Sequence, residues 1–158
     1  MTDIHAMPGY LVRRFQQIAV AIFLEEVAGV GLELTPVQFA ALSMVAAQPG
    51  VDQATLAGLI AYDRSTIGGV VDRLVQKGYV ARHVAGRDRR ARELRLTPAG
   101  HRALEDVLPA VARAQESILS GLDADERRVL IALLTKATDA VNERSRAPLR
   151  AAASKDAD

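Results

Sequence analysis

The chain of 158 residues contains no cysteine. Disulfides, thiolate metal sites and cysteine-based redox sensing are therefore excluded. Its three histidines, His5, His83 and His101, are scattered and form no H-x-x-x-H metal pair. There is no phosphate-binding glycine motif and no G-x-S-x-G elbow, so the sequence carries no recognisable catalytic apparatus. No enzyme activity, metal or cofactor is expected. No run approaches the roughly 18 uncharged apolar residues of a membrane span. The N-terminus, MTDIHAMPGY, lacks the basic-then-apolar pattern of a secretory signal, and a cytoplasmic location is the expectation. A strong charge of one sign is missing too, since the formal net charge is +1.

What is present fits one domain with a real hydrophobic core, 49% apolar and 25% charged. The charge is unevenly placed. Between Arg82 and Arg95 there are six arginines (82, 87, 89, 90, 92 and 95) against the two acids Asp88 and Glu93. Such a run is either a solvated charged loop or a local phosphate-binding element.

Its surroundings favour the second reading. A first helix is predicted from Pro8 to about Val27, with Leu11, Phe15, Ile18 and Ile22 at helical spacing. Thr35-Pro36-Val37-Gln38 reads as a capping box opening a second helix that stops before Pro49-Gly50. Asp52 caps a short third helix, and after a break at Ala61-Tyr62, Asp63 caps a fourth through about Lys77. Gly78 sits where a left-handed C-cap belongs. Residues 79–84 and 93–96 then form a β-hairpin around Gly86-Arg87-Asp88. Thr97-Pro98 opens a long helix to about Ser120, expected to kink at Pro109. Asp123 opens a last one bearing Val129, Leu130, Leu133, Leu134, Ala137 and Val141.

In outline this is a mainly α fold with a small β-hairpin wing, a winged helix-turn-helix. The N-terminal end of the second helix of such a unit enters the major groove, where free N–H groups and the helix dipole favour phosphate. Arg64, Ser65 and Thr66 are placed to reach phosphates or base edges. Arg73 either touches the DNA backbone or pairs with Asp72. Arg87, Arg89 and Arg90, with Arg92 beside them, can follow phosphates or enter the minor groove.

The runs Asp63-Arg64-Ser65-Thr66, Val71-Asp72-Arg73-Leu74, Lys77-Gly78-Tyr79-Val80, Arg87-Asp88-Arg89-Arg90-Ala91 and Leu94-Arg95-Leu96-Thr97-Pro98-Ala99-Gly100 together resemble the MarR family of transcription regulators. The resemblance spans roughly residues 8–145. It implies a single domain over 1–146, with dimerisation helices at 8–34 and 98–146, a DNA-binding lobe at 35–97 and a disordered tail at 147–158. It also implies a homodimer that binds a double-stranded, pseudo-palindromic operator, and in many relatives release by small aromatic acids. One departure is Gly68-Gly69 in the middle of the recognition helix, where relatives often carry polar or basic side chains. Two interior glycines cost roughly 1 kcal/mol each relative to alanine. Either this face approaches the DNA backbone closely, or base reading rests on residues 64–66 and the wing.

For an effector, Arg14 falls on the apolar stripe of the first helix. A buried cation needs a partner. Arg14 either pairs with Glu25, Glu26 or Asp106, or clamps the carboxylate of a small aromatic acid. Arg13 is the adjacent alternative, although it faces Tyr10 and Gln17. His5 and Tyr10 are candidate hydrogen-bond partners for the ring. Phe39, Met44 and Tyr62 are either core residues or pocket walls. The opening Pro8-Gly9-Tyr10-Leu11-Val12-Arg13-Arg14 is similar to family members that sense aromatic catabolites. The rival reading is a sequence-tolerant architectural DNA binder without a ligand, which would rely on phosphate contacts and deformation.

Overall fold

Four of the five capping residues marked in the sequence, Thr35, Asp52, Thr97 and Asp123, open helices in the computed structural model, which describes residues 3–84 and 92–151. In chain order the elements are α1 (Pro8–Ala28), α2 (Pro36–Ala47), β1 (Val51–Asp52), α3 (Gln53–Leu59), α4 (Ile67–Gln76), β2 (Val80–Val84), β3 (Arg92–Leu96), α5 (Pro98–Ile118) and α6 (Ala124–Ala140). Thr35 and Gln38 complete a reciprocal capping box on α2, and Asp123 and Glu126 do the same on α6. Asp52 accepts the Thr55 N–H at 2.9 Å and its hydroxyl at 2.7 Å. Each cap satisfies backbone donors that a helix start leaves without an internal partner.

The fourth helix departs from expectation. It begins at Ile67, and residues 64–66 form a separate turn. There the Asp63 carbonyl accepts the N–H groups of Thr66 and Ile67, while its carboxylate accepts the N–H and hydroxyl of Ser65, both at 2.8 Å. Short polar side chains that bond nearby backbone compete with helix in this way. The break before it is tight, since Ala61 takes φ 50, a left-handed conformation uncommon outside glycine.

α4 buries Ile67, Val70, Val71 and Leu74 in a core shared with Ala41, Leu42 and Val45 of α2, Leu56 and Ala57 of α3, and Leu94. The hairpin is present, but the sheet has three antiparallel strands in the order β1-β3-β2. Val51 pairs with Leu94, which in turn faces Arg82. A two-residue strand has no alternation of its own, and the sequence reading missed it. Phe23 and Val27 of α1 and Val107 and Val111 of α5 join the same core, α1 packing along α5.

α5 continues unbroken through Pro109. Its first turn lies directly on the base of the wing: the Thr97 hydroxyl donates to the Gly78 carbonyl at 2.6 Å, and the Thr97 N–H to Tyr79 at 3.0 Å. α6 buries none of its residues. Residues 147–151, assigned to the tail from sequence, run back to α3, where the Arg150 N–H donates to the Gly58 carbonyl at 2.9 Å. Among the described residues no helix is long and apolar enough to cross a membrane.

Candidate nucleic-acid interface and effector groove

The buried stripe of α4 leaves the opposite side outward. Arg64, Ser65, Thr66, Gly69 and Arg73 are all exposed, and Gly68 is half-buried. Among the described residues Arg64 has no ion-pair partner. Ser65 donates its hydroxyl to Asp63 and Thr66 donates its hydroxyl to the Asp63 carbonyl, so both hydroxyls are oriented by the turn itself. The Ser65 N–H and hydroxyl, together with the nearby Arg146 charge, outweigh desolvation and hold the Asp63 carboxyl below the usual carboxylate range.

Arg73 does not pair with its neighbour Asp72. Asp72 is taken by Arg82 of β2 at 2.5 Å, and Arg73 has no ion pair among the described residues. Gly68 and Gly69 differ in role. A Cβ on Gly68 would lie 3.3 Å from Nε2 of Gln53 in α3, whereas one on Gly69 would meet nothing within 4 Å. Gly69 thus leaves bare backbone at the outer surface of the helix.

In the wing, Arg82 pairs with Asp72 and Arg95 with Glu93 at 3.1 Å. Two of the six arginines therefore brace the hairpin base. Arg92, exposed, opens β3 opposite Val84. Arg87, Arg89 and Arg90, with Asp88, lie outside the described residues.

The five residues suggested for an effector do not converge. His5 stacks edge-on against Tyr10 with ring centroids 5.0 Å apart. Arg13 lies over the same ring at 5.2 Å and donates to Gln17, so these three form one ladder in which His5 and Arg13 are exposed and Tyr10 is half-buried. Phe39 packs against Phe23 at 6.0 Å and, like Met44 and Tyr62, lies half-buried against the core. Arg14 stands elsewhere. With Leu11, Val12, Phe15 and Ile18 of α1 and Leu130 and Leu134 of α6 it lines an apolar groove of about 350 Å³. Of its candidate partners, Glu26 is engaged by Arg113 at 2.8 Å. No ion pair joins Arg14 to Glu25 or Asp106 among the described residues.

A residue that sequence reasoning missed is Arg146, whose Nε lies 3.0 Å from Oδ2 of Asp63. The only sequence signal was the spacing of Arg144, Arg146 and Arg150 just after the last helix.

Known proteins match this arrangement. The sequence profile described as MarR family matches residues 32–91. A putative transcriptional regulatory protein for the hcr operon of Thauera aromatica is 37% identical over 103 residues, 65% of this chain and 62% of that protein. The HTH-type transcriptional repressor NicR of Pseudomonas putida is 31% identical over 87% of this chain and 85% of its own length. Among solved structures, one describing regulation of DNA binding of Bordetella bronchiseptica BpsR by 6-hydroxynicotinic acid superposes with TM-score 0.81. It is 29% identical and covers 88% of this chain and 98% of that one. With an outward-facing α4, a three-stranded wing and relatives matched over most of its length, the chain belongs to the MarR family of winged helix-turn-helix transcription regulators, and is not an enzyme.

Proposed function

We propose that the chain is a dimeric repressor that reads a pseudo-palindromic operator through residues 64–73 and the wing, and that a small aromatic carboxylate held at Arg14 releases it. The observation that carries the effector reading is the groove at Arg14: a guanidinium with no acid partner among the described residues, set in a wall of Leu11, Val12, Phe15, Ile18, Leu130 and Leu134. An apolar wall with one fixed cation suits a planar ring bearing a carboxylate, which arginine holds bidentately. BpsR, which responds to 6-hydroxynicotinic acid, and NicR, a repressor, support the chemistry and the sign.

Surface that one subunit leaves uncovered supports dimerisation. Val129, Ile131 and Leu133 of α6 are 57%, 56% and 58% exposed, and Leu11, Val12 and Ile18 of α1 are exposed as well. So many large apolar side chains left exposed on two helices suit an interface, and a two-fold protein matches a two-fold operator. Leu11, Val12 and Ile18 belong both to this surface and to the Arg14 groove, so in the dimer the groove is part of the interface, where ligand binding can alter the spacing of the two reading heads. Cytoplasmic residence accords with a DNA partner.

The test begins with an operator selected from a pool of random duplexes. Specific regulators prefer their operator over random duplex by at least about 10³, and a ratio near unity returns the architectural reading. Thermal-shift screening of aromatic carboxylates then identifies a ligand that raises stability. An Arg14→Ala protein that still releases operator at the wild-type ligand concentration sinks the effector assignment.

A further inference from the structure

We propose that residues 142–151 form a strut that positions the turn carrying Arg64–Thr66 for DNA, with Arg146 a positioning residue acting through Asp63. The inference rests on α4 and its leading turn being the DNA-reading element.

The segment is braced within itself. The Asn142 side chain accepts the Leu149 N–H at 2.8 Å and donates to the Leu149 carbonyl at 3.1 Å, closing the loop. Glu143 takes both terminal nitrogens of Arg150, at 2.7 and 3.1 Å, the paired geometry that favours arginine. The Ala147 N–H rests on the Ser145 hydroxyl. A free tail would gain nothing from so many local bonds against the entropy of ordering it.

The braced segment then meets the helix-turn-helix at two points. The Arg150 N–H donates to the Gly58 carbonyl, in the last turn of α3, which also accepts the Ala61 N–H at 3.3 Å. The absence of a side chain at Gly58 permits the approach, because a Cβ there would lie 3.1 Å from Cβ of Arg150. Arg146 takes Oδ2 of Asp63, while Oδ1 holds the N–H and hydroxyl of Ser65. One carboxylate thus ties the strut to the turn, and the turn sets the direction of Arg64. Because the strut continues directly from α6, it links the uncovered apolar helix to the reading head of the same subunit.

The experiment measures affinity for the selected operator across a salt series, for Arg146→Gln, Arg146→Lys and a chain ending at Ser145, with thermal unfolding of each. Loss of one exposed pair predicts about a fivefold drop for Arg146→Gln. Truncation, which also removes the Gly58 contact, predicts about tenfold. The salt slope stays at the wild-type value in both, and Arg146→Lys recovers most of the affinity. Affinities within twofold of wild type in both Arg146→Gln and the truncated chain overturn the strut. A slope reduced by about one in Arg146→Gln also overturns it, by making Arg146 a direct phosphate contact. Failure of the underlying reading shows separately, as an unmodified chain that holds selected and random duplexes equally.

Discussion

Replacing Gly100 with alanine tests the link between the wing and α5. A Cβ at this position would stand 2.0 Å from the Tyr79 carbonyl oxygen, 2.9 Å from its carbon and 3.1 Å from its Cα. Carbon–oxygen contacts in proteins are ordinarily about 3.3 Å or longer, so more than an ångström must be found. The obstacle is backbone, and the Tyr79 carbonyl is held in place by the Thr97 N–H. That argues for the upper end of overpacking costs, about 3 kcal/mol. Alanine recovers about 1 kcal/mol of helix propensity. The net loss of about 2 kcal/mol lowers Tm by roughly 4–8 °C in a chain of this size. Because α5 must move away from the start of β2, operator affinity falls as well. Calorimetry or circular dichroism at one fixed protomer concentration measures the shift, since dimer stability depends on concentration. An alanine variant as stable as wild type would refute the reasoning, and would mean that wing and helix can slide past each other at little cost.

Gly69→Ala has the opposite sign for stability, because nothing lies within 4 Å of the added methyl. A gain of about 1 kcal/mol, or roughly 2–4 °C, is expected, with weaker operator binding if DNA backbone passes close to α4; a variant both more stable and unimpaired in binding places base reading at residues 64–66 and the wing. Asp52→Asn keeps an N-cap acceptor but loses the charge at the start of α3, a difference of roughly 0.3–1 kcal/mol at neutral pH. Burial opposes ionisation of Asp52, yet the bonds from the Thr55 hydroxyl and N–H outweigh it and hold the carboxyl below its ordinary 3.8. A depressed native pKa confers stability that is complete above the unfolded value and lost as pH falls through the native one. The wild-type advantage over Asp52→Asn in denaturant titrations is therefore flat above about pH 5 and closes as pH falls below 3.8. An advantage that persists at lower pH would show that the charge is not its source.

Local chemistry made most of the helical framework readable. Thr35, Asp52, Thr97 and Asp123 each announce a helix because a side-chain oxygen and the following N–H groups are neighbours in the chain. Spaced motifs from Asp63 to Gly100 likewise carry the family resemblance. Failures came where a choice depended on distant partners. Asp63 looked like a helix cap and instead organises a separate turn, because Ser65 and Thr66 bond back to it. Val51–Asp52 is a strand only because Leu94 and Glu93 arrive beside it.

The candidate sites divide on the same line. That Arg73 faces outward follows from the 3.6-residue period and the apolar stripe of α4, which the sequence alone determined, whereas Arg64 lies on the turn before that helix, which Asp63 organises. That Arg73 has no ion pair among the described residues was set by folding, which brought Arg82, ten residues further along, to Asp72. The same holds for Arg14, where helical spacing placed it on an apolar stripe but only tertiary structure set Leu130 and Leu134 opposite and gave Glu26 to Arg113. It holds most clearly for Arg146, which meets Asp63 from 83 positions away in sequence. Periodicity and capping are written in neighbouring residues. Charge partners across the fold are set by which surfaces the core brings together.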